Sequence, residues 1–225
     1  MSRQQKQAGS SGGALDRFLT AIEVAGLVKT YGDQCVVDGI SFGVDVGEVV
    51  AVLGPNGAGK TTTGEILEGH RTATARHVAQ LGRDPAAAGS PFRDRNGNVL
   101  QDTDIEPQLT PREALTVYGA AYSRPRPVDE LLELVGLQEH ADRRVRLLSG
   151  GQQRRLDLAL GLVGDPDLLF LDEPTTGFDP AARRQSWALV EGLTGLGKTV
   201  LLTTHYLDEA QALADRVIVL RDGAI

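Results

Sequence analysis

The sequence contains a single cysteine, Cys35, and can form no disulfide within the chain. A reducing compartment is the simple expectation, and we expect Cys35 to be a small buried hydrophobic residue. Lysine is almost as scarce, because most of the positive charge is arginine; the lysines are Lys6, Lys29, Lys60 and Lys198. Few ammonium groups are therefore available for a site that requires one.

Long apolar runs and an excess of basic residues are absent as well. No stretch approaches the ~20 apolar residues that span a bilayer. Residues 1–13 are rich in Gln, Ser and Gly, lack the apolar core of a signal peptide and predict a disordered polar tail. The net charge of −7 gives no support for nucleic acid as a partner. We therefore expect a cytoplasmic protein that reaches a membrane only through a partner.

The most informative segment is residues 54–61. It fits the G-x-x-x-x-G-K-[ST] pattern of phosphate-binding loops, with Gly54, Pro55, Asn56, Gly57, Ala58, Gly59, Lys60 and Thr61. An apolar run at 49–53 predicts a buried strand before the loop, and residues 62–68 predict a helix after it. The alternative is a glycine-rich surface loop, which the flanking strand and helix disfavour.

This arrangement suits the binding of a nucleoside triphosphate. Glycines let the backbone N–H groups point at phosphate oxygens, and the helix N-terminus adds partial positive charge. We expect Lys60 to reach the β- and γ-phosphates and the Thr61 hydroxyl to ligate Mg²⁺.

Strands and helices alternate over much of the chain, which predicts an α/β fold with a mainly parallel core sheet. Two further apolar runs predict buried strands at 168–171 and 200–204, and another predicts a last strand at 217–220. Before the loop, Ile40, Phe42, Val44 and Val46 recur with a period of two, which predicts an N-terminal antiparallel β layer. A helix-rich stretch at about 103–147 interrupts the alternation and predicts an inserted helical subdomain.

Polar residues follow two of the predicted strands, at the edge where open parallel sheets bind ligands. Asp172 and Glu173 end one strand, and His205 follows another. Neighbouring residues at a strand end point in different directions, so Asp172 would hold Mg²⁺ through water while Glu173 deprotonates the attacking water. The alternatives are an acidic strand end that enters a turn and a histidine with a structural role. The phosphate-binding loop favours the catalytic interpretation.

A second anion site is predicted at residues 149–152. Ser149, Gly150, Gly151 and Gln152 place a hydroxyl and two glycines at the start of a predicted helix. An ordinary helix cap is the alternative, because serine is a favoured capping residue. Two consecutive glycines are costly for a cap alone. One chain would then offer two anion sites but one phosphate-binding loop.

Together these segments resemble the ATP-binding subunits of ABC transporters. The corresponding motifs are Walker A at 54–61, the signature at 148–152 and Walker B at 168–172. The resemblance implies a P-loop NTPase fold, ATP and Mg²⁺ as ligands, and ATP hydrolysis as the activity.

The resemblance also assigns roles residue by residue. The positions that match catalytic residues are Glu173, His205 and Gln101. The positions that match metal-site residues are Thr61, Gln101 and Asp172. The positions that match nucleotide-binding residues are Tyr31, Gly54, Pro55, Asn56, Gly57, Ala58, Gly59, Lys60, Thr61 and Thr62.

Partners follow from the same resemblance. Two such subunits pack head to tail, so that Ser149, Gly150, Gly151 and Gln152 of one close over the ATP held by the other; Asp179 corresponds to the D-loop. The expected partners are a second copy or a homologous ATP-binding subunit, together with transmembrane permease subunits. The protein would lie on the inner face of the cell membrane through those permeases.

The wording of residues 175–184 and 202–210 resembles the branch that exports drugs and antibiotics from bacteria. We therefore predict that residues 14–225 form an ATP-hydrolysing domain that powers such an exporter. The alternatives are a non-transport binding module of the same family and a truncated, weakly active paralogue. A single cassette and the acidic balance favour transport. Members of this branch usually continue past a turn like that at 221–223, so we expect a C-terminal truncation at Ile225.

Further departures from the family lie within residues 71–98, where turn signals leave no clear predicted element. The apolar pair at 99–100 predicts the end of a strand just before Gln101. Asn96 and Asn98 stand where the family has apolar strand residues, and a buried Asn98 without a partner would cost about 1–3 kcal/mol. We expect this edge to be weak and to loosen Gln101. Residues 75–76 replace a common Ser-Gly turn, so we also expect an altered hairpin before them.

Overall fold

The computed structural model describes residues 20–87, 89, 92, 94–99, 105–178 and 180–225. The strands are β1 (Thr20–Tyr31), β2 (Gln34–Asp45), β3 (Val49–Leu53), β4 (Ala75–Gln80), β5 (Asn96–Val99), β6 (Leu168–Asp172), β7 (Thr199–Thr204) and β8 (Arg216–Val219). The helices are α1 (Lys60–Leu67), α2 (Pro111–Gly119), α3 (Val128–Leu134), α4 (Gly150–Leu162), α5 (Pro180–Gly195) and α6 (Leu207–Leu213). Short 3₁₀ turns span Pro85–Ala87, Gln138–His140 and Val145–Leu147.

The strands of the described residues form two sheets. One is antiparallel, in the order β2-β1-β4, and the other is parallel, in the order β5-β6-β7-β3-β8. Helices α2 and α3 lie between β5 and β6 along the chain. The predicted α/β P-loop NTPase fold, with a parallel core sheet, an antiparallel layer and a helical insertion, is confirmed. Every helix in the described ranges is too short or too polar to cross a membrane.

The register of the parallel sheet brings the predicted site residues to one edge. Strand β7 lies between β6 and β3 and pairs Thr203 with Asp172 and Thr204 with Leu53. Because the three strands run in the same direction, the chain leaves all of them at the same edge. The first residues beyond that edge are Gly54, Glu173 and His205.

The core strands are apolar on both sides because both faces of the parallel sheet are covered. Val50 and Val52 of β3 belong to a cluster with the antiparallel sheet and α1. Val49 and Ala51 belong to a second cluster with helices α2 to α6. Each large buried side chain contributes about 1.5–3 kcal/mol to folding. These two layers therefore hold the strand ends, and the loops that follow them, in a rigid frame.

The prediction that Cys35 is buried is wrong, because its side chain is exposed. Cys35 follows a tight turn at the start of β2, an outer strand that pairs with β1 alone among the described strands. Its Sγ donates to the Val37 carbonyl oxygen at 3.3 Å. The alternating pattern of β2 also ends earlier than predicted: the strand stops at Asp45, and Val46 is 54% exposed.

Residues 71–99 hold strand β4, which the sequence did not predict, and strand β5, of which the sequence predicted only the end. Strand β4 joins the antiparallel sheet, where Ala75 pairs with Val28, so the position of the expected turn lies within a strand pair. Strand β5 is an edge strand, and it pairs with β6 in continuous register from Asn96 to Val99. Both strands are short and contain few apolar residues, so the turn signals around them dominate the sequence pattern.

The side-chain nitrogen of Asn98 has partners, so Asn98 is not the wholly unpaired buried residue that would weaken this edge most. Its Nδ2 donates to Glu68 Oε2 at 3.0 Å and lies 3.2 Å from His70 Nε2. The amide oxygens of Asn96 and Asn98 are buried and have no hydrogen-bond partner among the described residues. Contacts with the end of α1 thus replace part of the apolar packing that the resemblance implies for this strand. Loosening of Gln101 stays a prediction, because Gln101 lies outside the described residues.

Candidate functional site

The loop between β3 and α1 requires glycine for two physical reasons. Gly57 and Gly59 have φ angles of 82° and 99°, in the region that disfavours side chains. A Cβ on Gly54 would lie 2.2 Å from the Leu220 carbonyl oxygen, and one on Gly59 would lie 2.7 Å from the Val36 carbonyl oxygen. The backbone therefore turns tightly and leads into α1, whose first N–H groups have no intrahelical partner.

A groove of about 340 Å³ lies over this loop. Its lining comprises Val36, Asn56, Gly57, Gly59, Lys60, Thr61, Thr62 and Glu173. All of these except Val36 were predicted from the sequence as site residues. Pro55 and Ala58 complete the same loop, and Gly54 packs beneath it, against the end of the sheet. The sequence prediction thus locates the groove, and a helix N-terminus with a lysine beside it suits an anion.

Lys60 supplies a buried cation at the floor of this groove, with 5% of its surface exposed. Its Nζ donates to the carbonyl oxygens of Gly54 at 2.8 Å and Pro55 at 3.1 Å, and lies 3.5 Å from Glu173 Oε1. A buried ammonium group is stable only when it is paired. Because phosphate oxygens are partners of the same kind, the lysine and the glycine cradle fit a triphosphate chain.

Glu173 is the point at which three segments of the chain converge. Its carboxylate accepts a hydrogen bond from Thr176 Oγ1 at 3.0 Å, and its Oε2 lies 3.2 Å from His205 Nδ1. Burial raises the pKa of this carboxyl, but the Thr176 hydroxyl, the His205 ring and the Lys60 charge outweigh burial and lower it overall. The φ of Glu173 is 45°, a strained value for a side chain that is not glycine. The site therefore holds a carboxylate that is ionised at neutral pH.

Asp172 and Thr61 face one small cavity of about 80 Å³ between α1 and the sheet. The Thr203 hydroxyl donates to Asp172 Oδ1, which orients the carboxylate. No group of three or more His, Cys, Asp or Glu side chains in the described ranges could hold a metal by itself. Mg²⁺ takes one or two carboxylates and otherwise relies on waters and substrate phosphates, so a carboxylate and a hydroxyl here fit this ion together with a nucleotide.

The segment Ser149–Gln152 contributes no residue to the lining of this groove. Ser149 caps α4: its Oγ accepts from Gln152 N at 3.3 Å, and Gln152 Oε1 accepts from Ser149 N at 2.9 Å. A Cβ on Gly150 or Gly151 would meet nothing within 4 Å. The capping interpretation is thus correct for the serine, and nothing within the described chain explains the glycines.

Three other predicted residues have simpler outcomes. Tyr31 ends β1 with 40% of its surface exposed, and cations lie against its ring: Lys29 Nζ at 4.9 Å and Arg71 Cζ at 5.4 Å from the centroid. Gln101 and Asp179 lie outside the described residues.

Two threonines and a glutamate belong to the site but were not predicted. Thr203 bridges the acidic pair, since it contacts Asp172 and also the Glu173 backbone N–H at 3.2 Å. Thr176 fixes the Glu173 carboxylate. Glu68, at the end of α1, lines the same cavity as Asp172; burial, followed by the charges of Asp172 and Glu65, raises its pKa to about 7. The pairing of β7 with β6 is the only signal that could have found Thr203, and it requires the sheet order.

Comparison with known proteins supports the resemblance to ABC transporter subunits that the sequence motifs indicate. The family model described as ABC transporter matches residues 37–176. The Nod factor export ATP-binding protein I of Burkholderia orbicola is 44% identical over 207 residues, which are 90% of this chain and 68% of that protein. The protein of the same name from Paraburkholderia xenovorans is 46% identical over 209 residues, with the same two shares.

Solved structures agree with these sequence matches. A structure described as the ATP binding subunit of an ABC transporter superposes with a TM-score of 0.81 at 27% identity, and covers 92% of this chain and 88% of its own. A dimeric ATP-binding cassette in a post-hydrolysis state with ADP and Pi superposes with a TM-score of 0.80 at 26% identity, over 91% and 96%. The chain therefore belongs to the ABC transporter family and is one of its ATP-hydrolysing domains.

Proposed function

We propose that this chain is the subunit that hydrolyses ATP to power a membrane exporter. The observation that carries the proposal is the convergence on Glu173, whose carboxylate lies beside Lys60 of the phosphate-binding loop and His205 of a third strand end. A carboxylate held between a phosphate-binding lysine and a histidine is placed to act on water next to a bound γ-phosphate.

The residues of the groove divide the work of binding. Gly54 to Thr62 surround the phosphates through backbone N–H groups, and Lys60 contacts the terminal phosphates in place of its present carbonyl partners. Tyr31 stacks on the adenine. Thr61 and Asp172, with Gln101, hold Mg²⁺, which neutralises charge on the phosphates when it is bound.

Hydrolysis requires a proton acceptor for the attacking water. Glu173 takes that proton, the water oxygen attacks the γ-phosphorus, and the bond from that phosphorus to the bridging oxygen breaks to release ADP and phosphate. His205 contacts the γ-phosphate, and its Nδ1 also holds the Glu173 carboxylate at Oε2. Thr176 keeps Glu173 oriented, and its hydrogen bond favours the ionised form that a base needs.

The second half of the active site comes from another subunit. Ser149, Gly150, Gly151 and Gln152 would close over the γ-phosphate held by a second copy or a homologous subunit, with Asp179 at the same interface. In support, these residues line none of the groove of their own chain, and the solved cassette with ADP and Pi is a dimer. ATP then stabilises the dimer, and its hydrolysis releases it.

Transmembrane permease subunits would complete the exporter and hold this chain at the inner face of the cell membrane. The curated relatives are named for the export of Nod factor. Our finer proposal, a drug or antibiotic as cargo, rests on the wording of residues 175–184 and 202–210. Uptake of the two cargo classes into inverted vesicles that contain the chain and its permease distinguishes them.

Glu173→Gln tests the assignment of the base. The amide keeps the shape of the side chain but accepts no proton, so we expect ATP affinity within about threefold of wild type and turnover lower by at least about 100-fold. An ATP-bound dimer should accumulate in size-exclusion chromatography with ATP and Mg²⁺. Glu191→Gln is the matched control, because Glu191 is an exposed glutamate on α5. Near-normal turnover of the Glu173→Gln protein contradicts the proposal.

A further inference from the structure

Glu209 is a fully buried carboxylate one layer behind the proposed site. It lies on α6, four residues after His205, and 0% of its surface is exposed. Its Oε1 accepts hydrogen bonds from Thr175 Oγ1 at 2.6 Å and from Trp187 Nε1 at 3.3 Å. Its Oε2 is buried and has no hydrogen-bond partner among the described residues.

Stability alone does not explain a glutamate at this buried position. A buried carboxylate loses its hydration, and replacing buried ionic groups by apolar groups of similar volume is often neutral or stabilising. Two hydrogen bonds on one oxygen, with the other oxygen unpaired, offset this loss only in part. The two donors therefore indicate what the carboxylate does: it fixes the segments that carry them.

The hydrogen bond from Thr175 to Glu209 joins the two connections that carry the proposed catalytic pair. Thr175 lies two residues after Glu173 in the β6–α5 connection, and Glu209 follows His205 on the helix after β7. The two neighbouring threonines of this turn have different partners. Thr176 donates to the Glu173 carboxylate, whereas Thr175 donates to Glu209. The Thr175–Glu209 hydrogen bond thus spans the same gap as the contact between Glu173 and His205.

We propose that Glu209 is a positioning residue for hydrolysis, which holds Thr175 and thereby sets Glu173 against His205. The inference rests on the proposed roles of Glu173 and His205. Glu173 has a strained φ of 45°, so its turn is not in its relaxed conformation and requires outside contacts to stay in place. Without the anchor, the carboxylate would still be present but less well oriented, and an error of about 1 Å in a catalytic group can cost as much as 100-fold in rate.

Four single variants separate positioning from packing. Glu209→Leu and Thr175→Val each remove one partner of the hydrogen bond, and both should lower kcat about tenfold or more while KM for ATP changes by less than about twofold. Glu209→Gln keeps an acceptor oxygen and should restore most of the kcat. Trp187→Phe removes the other hydrogen bond on the same oxygen, and its kcat should stay within about twofold of wild type. Rates are expressed per nucleotide-binding site, so that misfolded protein does not count.

The double variant Thr175→Val with Glu209→Leu adds a test of coupling, because both changes break one contact and its kcat should fall no further than that of Glu209→Leu alone. Normal kcat in Glu209→Leu, or an equal loss in Trp187→Phe, overturns the inference. The proposed function fails separately: it is rejected by normal turnover of Glu173→Gln, whatever Glu209 variants do. If Glu209→Leu does not fold, Thr175→Val and Glu209→Gln still decide the outcome.

Discussion

Two glycine-rich segments in the described part of the chain lie at helix N-termini, and contacts among the described residues explain one of them but not the other. In the phosphate-binding loop, Gly54 and Gly59 have backbone carbonyl oxygens where a Cβ would lie, and Gly57 and Gly59 have positive φ. At the start of α4, Gly150 and Gly151 have neither constraint. Ser149 caps that helix without needing them.

The difference shows which constraint explains the glycines in each segment. Glycine at the phosphate-binding loop is required for folding as well as for binding, since Leu220, just after β8, and Val36 of β2 approach it closely. Glycine at α4 weakens the helix by about 0.5–1 kcal/mol per residue relative to alanine and gains no contact within the described chain. Because no contact among the described residues requires these glycines, they agree with the proposal that this helix end closes on a second subunit.

The largest expected effect comes from alanine substitutions in the two segments. Gly54→Ala places a methyl group on a backbone oxygen, and we expect the free energy of unfolding to fall by about 3 kcal/mol. Gly151→Ala should leave stability unchanged or raise it by about 0.5 kcal/mol, while lowering turnover about tenfold at protein concentrations that allow dimers. Urea denaturation without nucleotide and ATPase assays over a range of protein concentrations provide the two measurements. Equal loss of stability in both variants would remove the comparison.

A smaller effect on stability should follow from pH. Its source is Glu68, at the end of the helix that follows the phosphate-binding loop. Burial and then the charges of Asp172 and Glu65 raise the pKa of Glu68 from 4.5 to about 7. The folded protein therefore binds this proton more tightly than the unfolded chain. Stability from the protonated form is fully present below about pH 4.5 and is lost as pH rises through 7, by about 3 kcal/mol in total, most of it above pH 5.

The measurement is urea denaturation at pH 5 and pH 8 without nucleotide, for wild type and Glu68→Gln. The amide carries no titrating proton, so the difference in stability between the two proteins should change by about 2 kcal/mol between these pH values. Glu191→Gln, on the exposed face of α5, should show no such change. A pH-independent difference would place Glu68 in a better hydrated environment than its cavity indicates.

The sequence predicted the parts of the site that are carried by local pattern. The loop Gly54–Thr61, the acidic pair after β6 and the cap at Ser149 each consist of residues close together in the chain, and each has a specific chemical reason. The sequence could not predict contacts that depend on sheet order, such as Thr203 with Asp172 across β6 and β7 or Thr175 with Glu209. Those contacts join segments roughly 30 residues apart, and neither segment contains a local pattern that predicts them.

The sequence missed strand β4 and the greater part of strand β5 for a different reason. Their sequences are short and polar, and they become strands because β1 and β6 offer open edges to pair with. Tertiary context thus outweighs local propensity here. The asparagines of β5 are the clearest case: as a local pattern they disfavour a strand, yet Asn98 binds Glu68 at the end of α1.

The smallest effect compares two helix caps with the same geometry. Thr110 caps α2 and accepts from Glu113 N at 3.2 Å, while Glu113 Oε2 accepts from Thr110 N at 2.9 Å. The corresponding distances at Ser149 are 3.3 and 2.9 Å. Thr110→Ala and Ser149→Ala should therefore each lower the free energy of unfolding by about 1 kcal/mol.

Turnover should nevertheless separate the two caps. If the Ser149 hydroxyl also contacts the γ-phosphate held by a second subunit, Ser149→Ala lowers turnover several-fold beyond any loss of folded protein, whereas Thr110→Ala leaves turnover per nucleotide-binding site unchanged. ATPase assays at high protein concentration, normalised to bound nucleotide, measure this directly. Equal turnover in the two variants would mean that Ser149 is a cap and nothing more. The requirement for glycine at Gly150 and Gly151 would then be the only remaining sign that α4 acts on a partner.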